Sequence, residues 1–234
     1  MGGVVPHHDL AIDMIARFYQ KLAGRSGQNA QKIRRVWLFA PDHFKQARRW
    51  AAVCDADWRL AGADKAAVET LGRSEIVELS SKLFAREHGI TLHIPFIARF
   101  FPNASVVPIV LRPDIPDMAL LMLRNRIGRL LGEGDLIILS MDLSHYKPPE
   151  AMEIEDKRTL GVLTNLKCSA VSGIDVDARR TASLVLRLFR DMGATKGEIL
   201  EHTDSSALLG KRIESGTSYA TIIYREIHER EPKK

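Results

Sequence analysis

The alternation of short apolar segments with amphipathic ones constrains the fold of this 234-residue chain most strongly. The sequence predicts buried strands at residues 33–40, 106–111 and 136–140, and shorter strands at 4–5, 198–201 and 218–227. Helices are predicted at residues 10–23, 74–86, 95–101, 116–131, 150–163 and 177–192. Strands that alternate with helices are typical of a mostly parallel or mixed sheet with helices on both faces. We therefore expect an α/β fold.

Composition favours one large domain. A hydrophobic fraction of 45% is sufficient for a sizeable core. We find no internal repeat or linker, so residues 1–228 are predicted to form a single domain, followed by a charged tail at 229–234. The only two cysteines, Cys54 and Cys168, are far apart in sequence, which argues against a disulfide framework.

The net charge of +5 does not by itself indicate a nucleic-acid partner. The basic residues occur as scattered pairs such as Arg34-Arg35 and Arg48-Arg49, without a basic stripe that aromatic residues interrupt. No apolar run approaches the roughly 18 residues that span a bilayer. We therefore predict a cytoplasmic protein that binds neither nucleic acid nor membrane.

Polar side chains follow several of the predicted strands. His7 comes after the first strand and His43 after residues 33–40, and Asp142 and His145 come after residues 136–140. The carboxyl ends of parallel strands lie along one edge of a sheet, so these side chains are expected to converge. Histidine is the commonest protein ligand of transition metals, but a pair of hydrogen-bonded loop histidines would have the same spacing. Spacing alone leaves both interpretations open.

Two further groups could take part in chemistry. Asp142 and His145 lie three residues apart and could act as an orienting carboxylate and a general acid or base, or as a turn cap and a surface histidine. Glu87 and His88 could face a cleft or end the preceding helix. His93 lies between apolar residues, which on its own favours a buried histidine with a hydrogen-bond partner.

Several common catalytic motifs are absent. The chain has no phosphate-binding loop of the Gly-x-x-x-x-Gly-Lys-Ser/Thr type, no Gly-x-Gly-x-x-Gly after a strand and no Gly-x-Ser-x-Gly elbow. These absences remove support for ATP hydrolysis at such a loop, for NAD binding of the Rossmann kind and for a serine nucleophile.

Five segments, in order, resemble the Memo-like proteins, which in prokaryotes are called AmmeMemoRadiSam system protein B. The segments are Val-Pro-His at 5–7, Phe-Ala-Pro-Asp-His at 39–43, Glu-His-Gly-Ile-Thr-Leu-His-Ile-Pro-Phe at 87–96, Val-Pro-Ile-Val at 107–110 and Ser-Met-Asp-Leu-Ser-His-Tyr at 140–146. The similarity extends to Ser-Tyr-Ala at 218–220 and so covers nearly the whole chain.

This resemblance implies a fold similar to that of the class III extradiol dioxygenases (LigB-type). Those enzymes hold non-haem Fe(II) with two histidines and one carboxylate. The resemblance implies His7 and His43 as metal ligands, His145 as the acid or base, and Glu87, His88, His93 and Asp142 around the cleft. The expected cofactor is a divalent metal, with Fe(II) first and copper or zinc as alternatives.

The third ligand is less well defined. In relatives a C-terminal loop brings a cysteine or an acidic residue toward the metal, and the corresponding segment here, at 201–206, reads Glu-His-Thr-Asp-Ser-Ser. We choose Asp204 as the third ligand and His202 as the second choice.

Two functions follow from this interpretation. The first is a metal-dependent oxidoreductase of the dioxygenase type. The second is a non-catalytic module whose cleft binds a small molecule or peptide, with Arg34, Arg35 and Lys45 attracting an anionic ligand. A structural metal site would need four protein ligands, and the cysteines lie far in sequence from the histidines. A complete triad with an open position favours catalysis, whereas a metal-free cleft favours binding.

Overall fold

The computed structural model describes residues 2–24, 27, 30–58 and 60–226. Its strands are β1 (Gly2–Val5), β2 (Arg35–Pro41), β3 (Ala51–Val53), β4 (Val77–Leu79), β5 (Ser105–Leu111), β6 (Asp135–Ser140), β7 (His145–Lys147), β8 (Ala194–Asp204) and β9 (Gly216–Glu226). Its helices are α1 (Ile12–Ala23), α2 (Lys65–Gly72), α3 (Ser81–Phe84), α4 (His88–Thr91), α5 (Ile94–Phe100), α6 (Asp117–Leu130), α7 (Pro149–Thr164), α8 (Arg179–Asp191) and α9 (Ser205–Leu209).

The strands form one mixed sheet in the order β4-β3-β5-β2-β6-β1-β9-β7, and β8 pairs with β9. Strands β5, β2, β6 and β1 are mutually parallel, whereas β9 runs antiparallel to β1 and β3 runs antiparallel to β5. We call the edge at which the four parallel strands end the carboxyl edge. The predicted α/β class with a mixed sheet is confirmed.

Alternate residues of the central strands point to opposite faces of the sheet, so both faces carry apolar side chains. Helices cover these side chains on each face. Trp37 and Phe39 of β2 pack into a core with α2, α6 and α8. Leu38 and Ala40 pack into a second core with α1 and α5. The predicted arrangement of helices on both faces is therefore confirmed, and the parallel strands are buried on both sides.

The predicted helix at residues 74–86 is wrong. Residues Val77–Leu79 form β4, which pairs in parallel with β3, and only Ser81–Phe84 is helical. Val77 is fully buried in the core, and the Arg49 guanidinium donates to the carbonyls of Ser74 and Val77. These tertiary contacts outweigh the local helical preference of the segment.

The last two strands are longer than a local pattern indicates. β8 extends over 11 residues where a four-residue strand is predicted, because β9 pairs with it along nearly its whole length. Residue 227 and the predicted tail at 229–234 lie outside the described residues. Within the described part of the chain, no helix is both long and apolar enough to cross a membrane.

Candidate metal centre

The site lies at the carboxyl edge, where three parallel strands end side by side. His7, His43 and Asp142 each lie two residues beyond the last residue of β1, β2 and β6. β6 pairs with both β1 and β2, so the three side chains start from adjacent positions. The predicted convergence of these segments is therefore what the sheet produces.

Three ligand-type atoms meet at this edge. His7 Nε2 lies 2.9 Å from Asp177 Oδ2 and 3.1 Å from His43 Nε2. His43 Nε2 lies 3.4 Å from the same Asp177 oxygen. Asp177 comes from the segment just before α8, which carries the carboxylate across to the strand ends.

A buried carboxylate fixes the orientation of His43. The Nδ1–H of His43 donates to Glu87 Oε1 at 2.6 Å, and its backbone N–H donates to Glu87 Oε2 at 3.2 Å. Glu87 is fully buried and also accepts the Gly89 N–H at the start of α4. A proton held at Nδ1 turns Nε2 toward the cluster, and a carboxylate placed in this way is common behind metal-bound histidines.

A serine and a second histidine orient His7. Ser140 Oγ lies 2.9 Å from His7 Nδ1 and 3.1 Å from His93 Nε2. Burial, with a smaller effect of the positive charge on His7, lowers the pKa of His93 to about 3, so His93 is neutral near pH 7. The pKa of His7 is raised, so its protonated ring donates Nδ1–H to Ser140 Oγ and turns Nε2 toward Asp177.

Asp142 connects the first histidine to His145. Its Oδ1 accepts the backbone N–H of His7 at 3.0 Å, and its Oδ2 lies 3.8 Å from His7 Nε2. His145 Nε2 lies 4.0 Å from the same Oδ2. The Nδ1–H of His145 donates to the Leu143 carbonyl at 2.8 Å, so Nε2 is its free acceptor when the ring is neutral.

His88 lies on the outer side of the cluster. It is the first residue of α4, and its ring centroid lies 4.1 Å from that of His43 and 5.1 Å from that of His7. Burial and the neighbouring positive charges of His43 and His7 lower the pKa of His88 to about 4. His88 is therefore neutral near pH 7. Its side chain is half-exposed and lies beside His7 and His43.

The carboxylates around His7 and His43 favour the protonated form of both side chains. Although burial opposes it, the carboxylates of Asp177 and Glu87 raise the pKa of His43 to about 9. Burial likewise opposes protonation of His7, but Asp142 and Asp177 raise its pKa. The two histidines lower the pKa of Asp177 despite its burial. The site is thus built to hold positive charge.

The donor set fits a metal ion. The three atoms lie 2.9, 3.1 and 3.4 Å from one another. At usual metal–ligand bond lengths, neighbouring ligand atoms lie about 3.0 Å apart around an octahedral metal ion and about 3.4 Å apart around a tetrahedral one. Among the described residues, Asp177 Oδ1 is buried without a hydrogen-bond partner. A buried acceptor of this kind requires a partner, which a cation would supply. Two groups of three side chains have donor atoms within 4.8 Å of one another. One group is His7, His43 and His88, and the other is His7, Asp142 and Asp177.

A cavity of about 330 Å³ adjoins Asp177. It is lined by the ends of β2 and β5, including Pro41 and Leu111, and by the first residues of α8. A space of this size beside the cluster is sufficient for a small ligand.

Asp204, our choice for the third ligand, lies elsewhere. Its carboxylate caps α9 by accepting the N–H groups of Ser206 and Ala207 at 2.6 and 3.0 Å. His202, the second choice, contacts the buried Asp156 at 2.8 Å. Among the described residues, neither Asp204 nor His202 belongs to a group of ligand-type atoms that lie within 4.8 Å of one another. The carboxylate that lies beside the two histidines is that of Asp177 and not that of Asp204.

Sequence patterns do not point to Asp177, because it follows no predicted strand and falls at the start of a predicted helix. The available signal was the Asp-Val-Asp sequence at 175–177, an acidic residue at each end of a buried valine just before a helix. Only the packing of α8 against the sheet brings this segment to the carboxyl edge.

Other predicted residues have structural partners. Asp42, which precedes His43, accepts the N–H groups of Gln46 and Ala47 and so caps the turn after β2. Arg35 pairs with Asp135 and Asp64 at the opposite edge of the sheet, where β2 begins. Arg34 precedes β2 at that same edge, so neither arginine can attract a ligand to the cluster, whereas Lys45 follows His43 closely.

Comparison with known proteins gives consistent similarities. A family profile described as Memo-like protein matches residues 2–223. A MEMO1 family protein of Nitrosopumilus maritimus is 24% identical over 75% of this chain and 68% of its own length. One of Caldivirga maquilingensis is 27% identical over 73% of this chain and 61% of its own length. A third, of Pyrobaculum aerophilum, is 22% identical over 96% of this chain and 83% of its own length. The alignments with the first two thus span about two-thirds of those relatives.

Proposed function

The chain belongs to the family of Memo-like proteins, and we propose that it binds one divalent metal ion through His7, His43 and Asp177 and acts as a metal-dependent oxidoreductase. The observation that carries the proposal is the convergence of two imidazole nitrogens and one carboxylate oxygen within 3.4 Å. Fe(II) is the proposed metal, and copper and zinc also fit nitrogen and oxygen donors. We also propose that the fold is related to that of the class III extradiol dioxygenases.

The donor set determines the class of chemistry. A non-haem Fe(II) ion held by two histidines and one carboxylate supplies oxidation by molecular oxygen. Glu87 and Ser140 accept the N–H on the far side of the His43 and His7 rings, so that Nε2 of each ring is the nitrogen turned toward the proposed metal. Their role is to position the ligands.

His145 is the proposed acid or base. Its Nδ1–H is fixed on the Leu143 carbonyl, and its Nε2 faces the cluster from a partly exposed position. Burial, opposed by the positive charge of His7, raises the pKa of Asp142, whose Oδ2 is the nearest carboxylate oxygen to His145. In this proposal His145 takes a proton from a bound ligand or returns it, and Asp142 fixes the loop that carries His145.

Metal content tests the proposal directly. We expect about one iron per chain after anaerobic purification, measured by elemental analysis, or one Zn²⁺ when that ion is supplied instead. His43→Ala and His7→Ala should lose the metal and keep the fold, as judged by circular dichroism. Retention of full metal content by His43→Ala would refute the site.

A matched pair of variants tests the third ligand. Asp177→Asn should lose most of the metal, whereas Asp204→Asn should keep it, because Asp204 only caps α9. The reverse result would return the assignment to Asp204. If no added metal binds to the wild-type protein, the non-catalytic binding module becomes the better description.

A further inference from the structure

A large cleft lies away from the metal centre. It has a volume of about 910 Å³ and is lined by parts of α6 and α8, the segment after α7 and the start of β8. Its charged lining residues are Arg124, Lys167, Arg187, Arg190 and Asp191, four cations and one anion. We call it the basic cleft.

The basic cleft is separate from the metal centre. Asp177 lies just before the first residue of α8, whereas Arg190 and Asp191 lie at its end. A helix of 13 residues is about 20 Å long at the usual rise per residue. The two sites therefore lie at opposite ends of one helix.

Its positive charge is only partly neutralised from within. Arg124 donates to Asp191 at 2.7 Å, which accounts for one cation and the one anion. Within the described part of the chain, no carboxylate pairs with Lys167, Arg187 or Arg190. Three cations around one concave surface repel one another, so an anionic ligand would relieve this repulsion.

One of these cations is held in place before any ligand arrives. Arg187 Nη1 donates to the Ser183 carbonyl at 2.6 Å and also contacts Ser183 Oγ. This fixes the half-buried guanidinium and leaves its other N–H groups for a ligand. A preorganised arginine loses little entropy on binding and suits the paired oxygens of phosphate or carboxylate groups.

The residues that line the basic cleft also indicate which kind of ligand it does not suit. Among the described lining residues there is no aromatic side chain, so the cleft offers no surface on which a nucleic-acid base could stack. Hydroxyl groups of Ser169 and Thr195 lie among the cations. Recognition would therefore depend on charge and hydrogen bonds.

We propose that the basic cleft binds a small polyanion, a molecule with at least two phosphate or carboxylate groups, and recognises it through Lys167, Arg187 and Arg190. This second site is independent of the proposed metal chemistry. It would make the protein responsive to an anionic metabolite that does not itself reach the metal centre.

Isothermal titration calorimetry with two probes, inorganic tripolyphosphate and citrate, tests this proposal on metal-free protein. Saturable binding of either probe at one site per chain supports it, and the tighter probe assigns phosphate or carboxylate. Binding should persist in His43→Ala, so a failure of the metal proposal would not affect the result. No saturable binding of either probe would overturn it.

A matched pair of charge reversals excludes general electrostatic attraction. Arg190→Glu should weaken binding at least tenfold. Arg129→Glu makes the same change in the last turn of α6, outside the basic cleft, and should alter the affinity less than twofold. Both positions are exposed, so both variants should fold, with unfolding temperature as the check. Equal weakening in the two variants would overturn the proposal.

Discussion

The protonation of single nitrogen atoms decides whether the cluster can bind a metal. His43 presents Nε2 because Glu87 accepts the proton on Nδ1, and His7 does the same through Ser140. Each proposed ligand therefore depends on a buried partner that contacts only the far side of its ring. Such partners typically contribute a factor of about 10 to 100 in metal affinity.

Glu87→Gln tests this dependence. Glutamine keeps the shape of the side chain and a carbonyl oxygen for the Gly89 N–H, but it removes the negative charge beside His43. We expect metal affinity to fall by about 10- to 100-fold with the fold intact, measured by competition with a chelator. Unchanged affinity would show that the carboxylate does not position His43.

Metal affinity should also depend on pH. The pKa of His43 is raised to about 9, so below that pH the metal-free site holds a proton that the metal must displace. Affinity should therefore rise with pH through the neutral range, by up to about tenfold per pH unit for each proton released, and level off above about pH 9. Chelator competition with Zn²⁺ at several pH values measures this slope. A flat profile would contradict the assigned protonation state.

At the scale of elements, the close approach of α4 to β2 sets the position of Glu87. Gly89 is the residue that permits it, since a Cβ there would lie 2.8 Å from Ala40 Cβ and 3.2 Å from Glu87 Oε1. Glu87 caps the four-residue helix α4, and His88 is its first residue, so a shift of this helix would move both side chains together. The glycine is thus part of the site without contacting a ligand.

Gly89→Ala should therefore weaken metal binding and reduce stability by about 1–3 kcal/mol, because the added methyl group overpacks a buried contact. Gly128→Ala in α6 is the control, since nothing lies within 4 Å of a Cβ there. It should leave metal affinity unchanged and stabilise the protein by up to about 1 kcal/mol. Urea unfolding and chelator competition measure both effects, and an unaffected Gly89→Ala protein would contradict the packing argument.

At the scale of the whole molecule, the candidate ligands connect segments that are distant in sequence. His7 follows β1, His43 follows β2 and Asp177 precedes α8, so a bound ion would join segments that are 36 and 134 residues apart in sequence. The unfolded chain cannot present these three groups together. Binding of the proposed metal would therefore be coupled to folding.

Metal should consequently raise thermal stability. At a free concentration about 100 times the dissociation constant, the gain is about 2.7 kcal/mol, or roughly 5–10 °C for a protein of this size. Scanning calorimetry with added Zn²⁺ and then with a chelator measures the shift and its reversal. His43→Ala should show no shift, and an equal shift in that variant would place the metal elsewhere.

Features that depend on local pattern can be predicted from the sequence. Apolar runs indicate the parallel strands, and parallel strands end at one edge, so the residues that follow them, His7, His43 and Asp142, are expected to converge. Features that depend on contacts between distant segments appear only in the folded protein. Pairing with β3 made β4 a strand in place of a helix, and packing of α8 brought Asp177 to the histidines while the β8–β9 ladder held Asp204 at a helix cap. Local sequence carries the periodicity of an element, but the position of a carboxylate across the sheet follows only from how the elements pack.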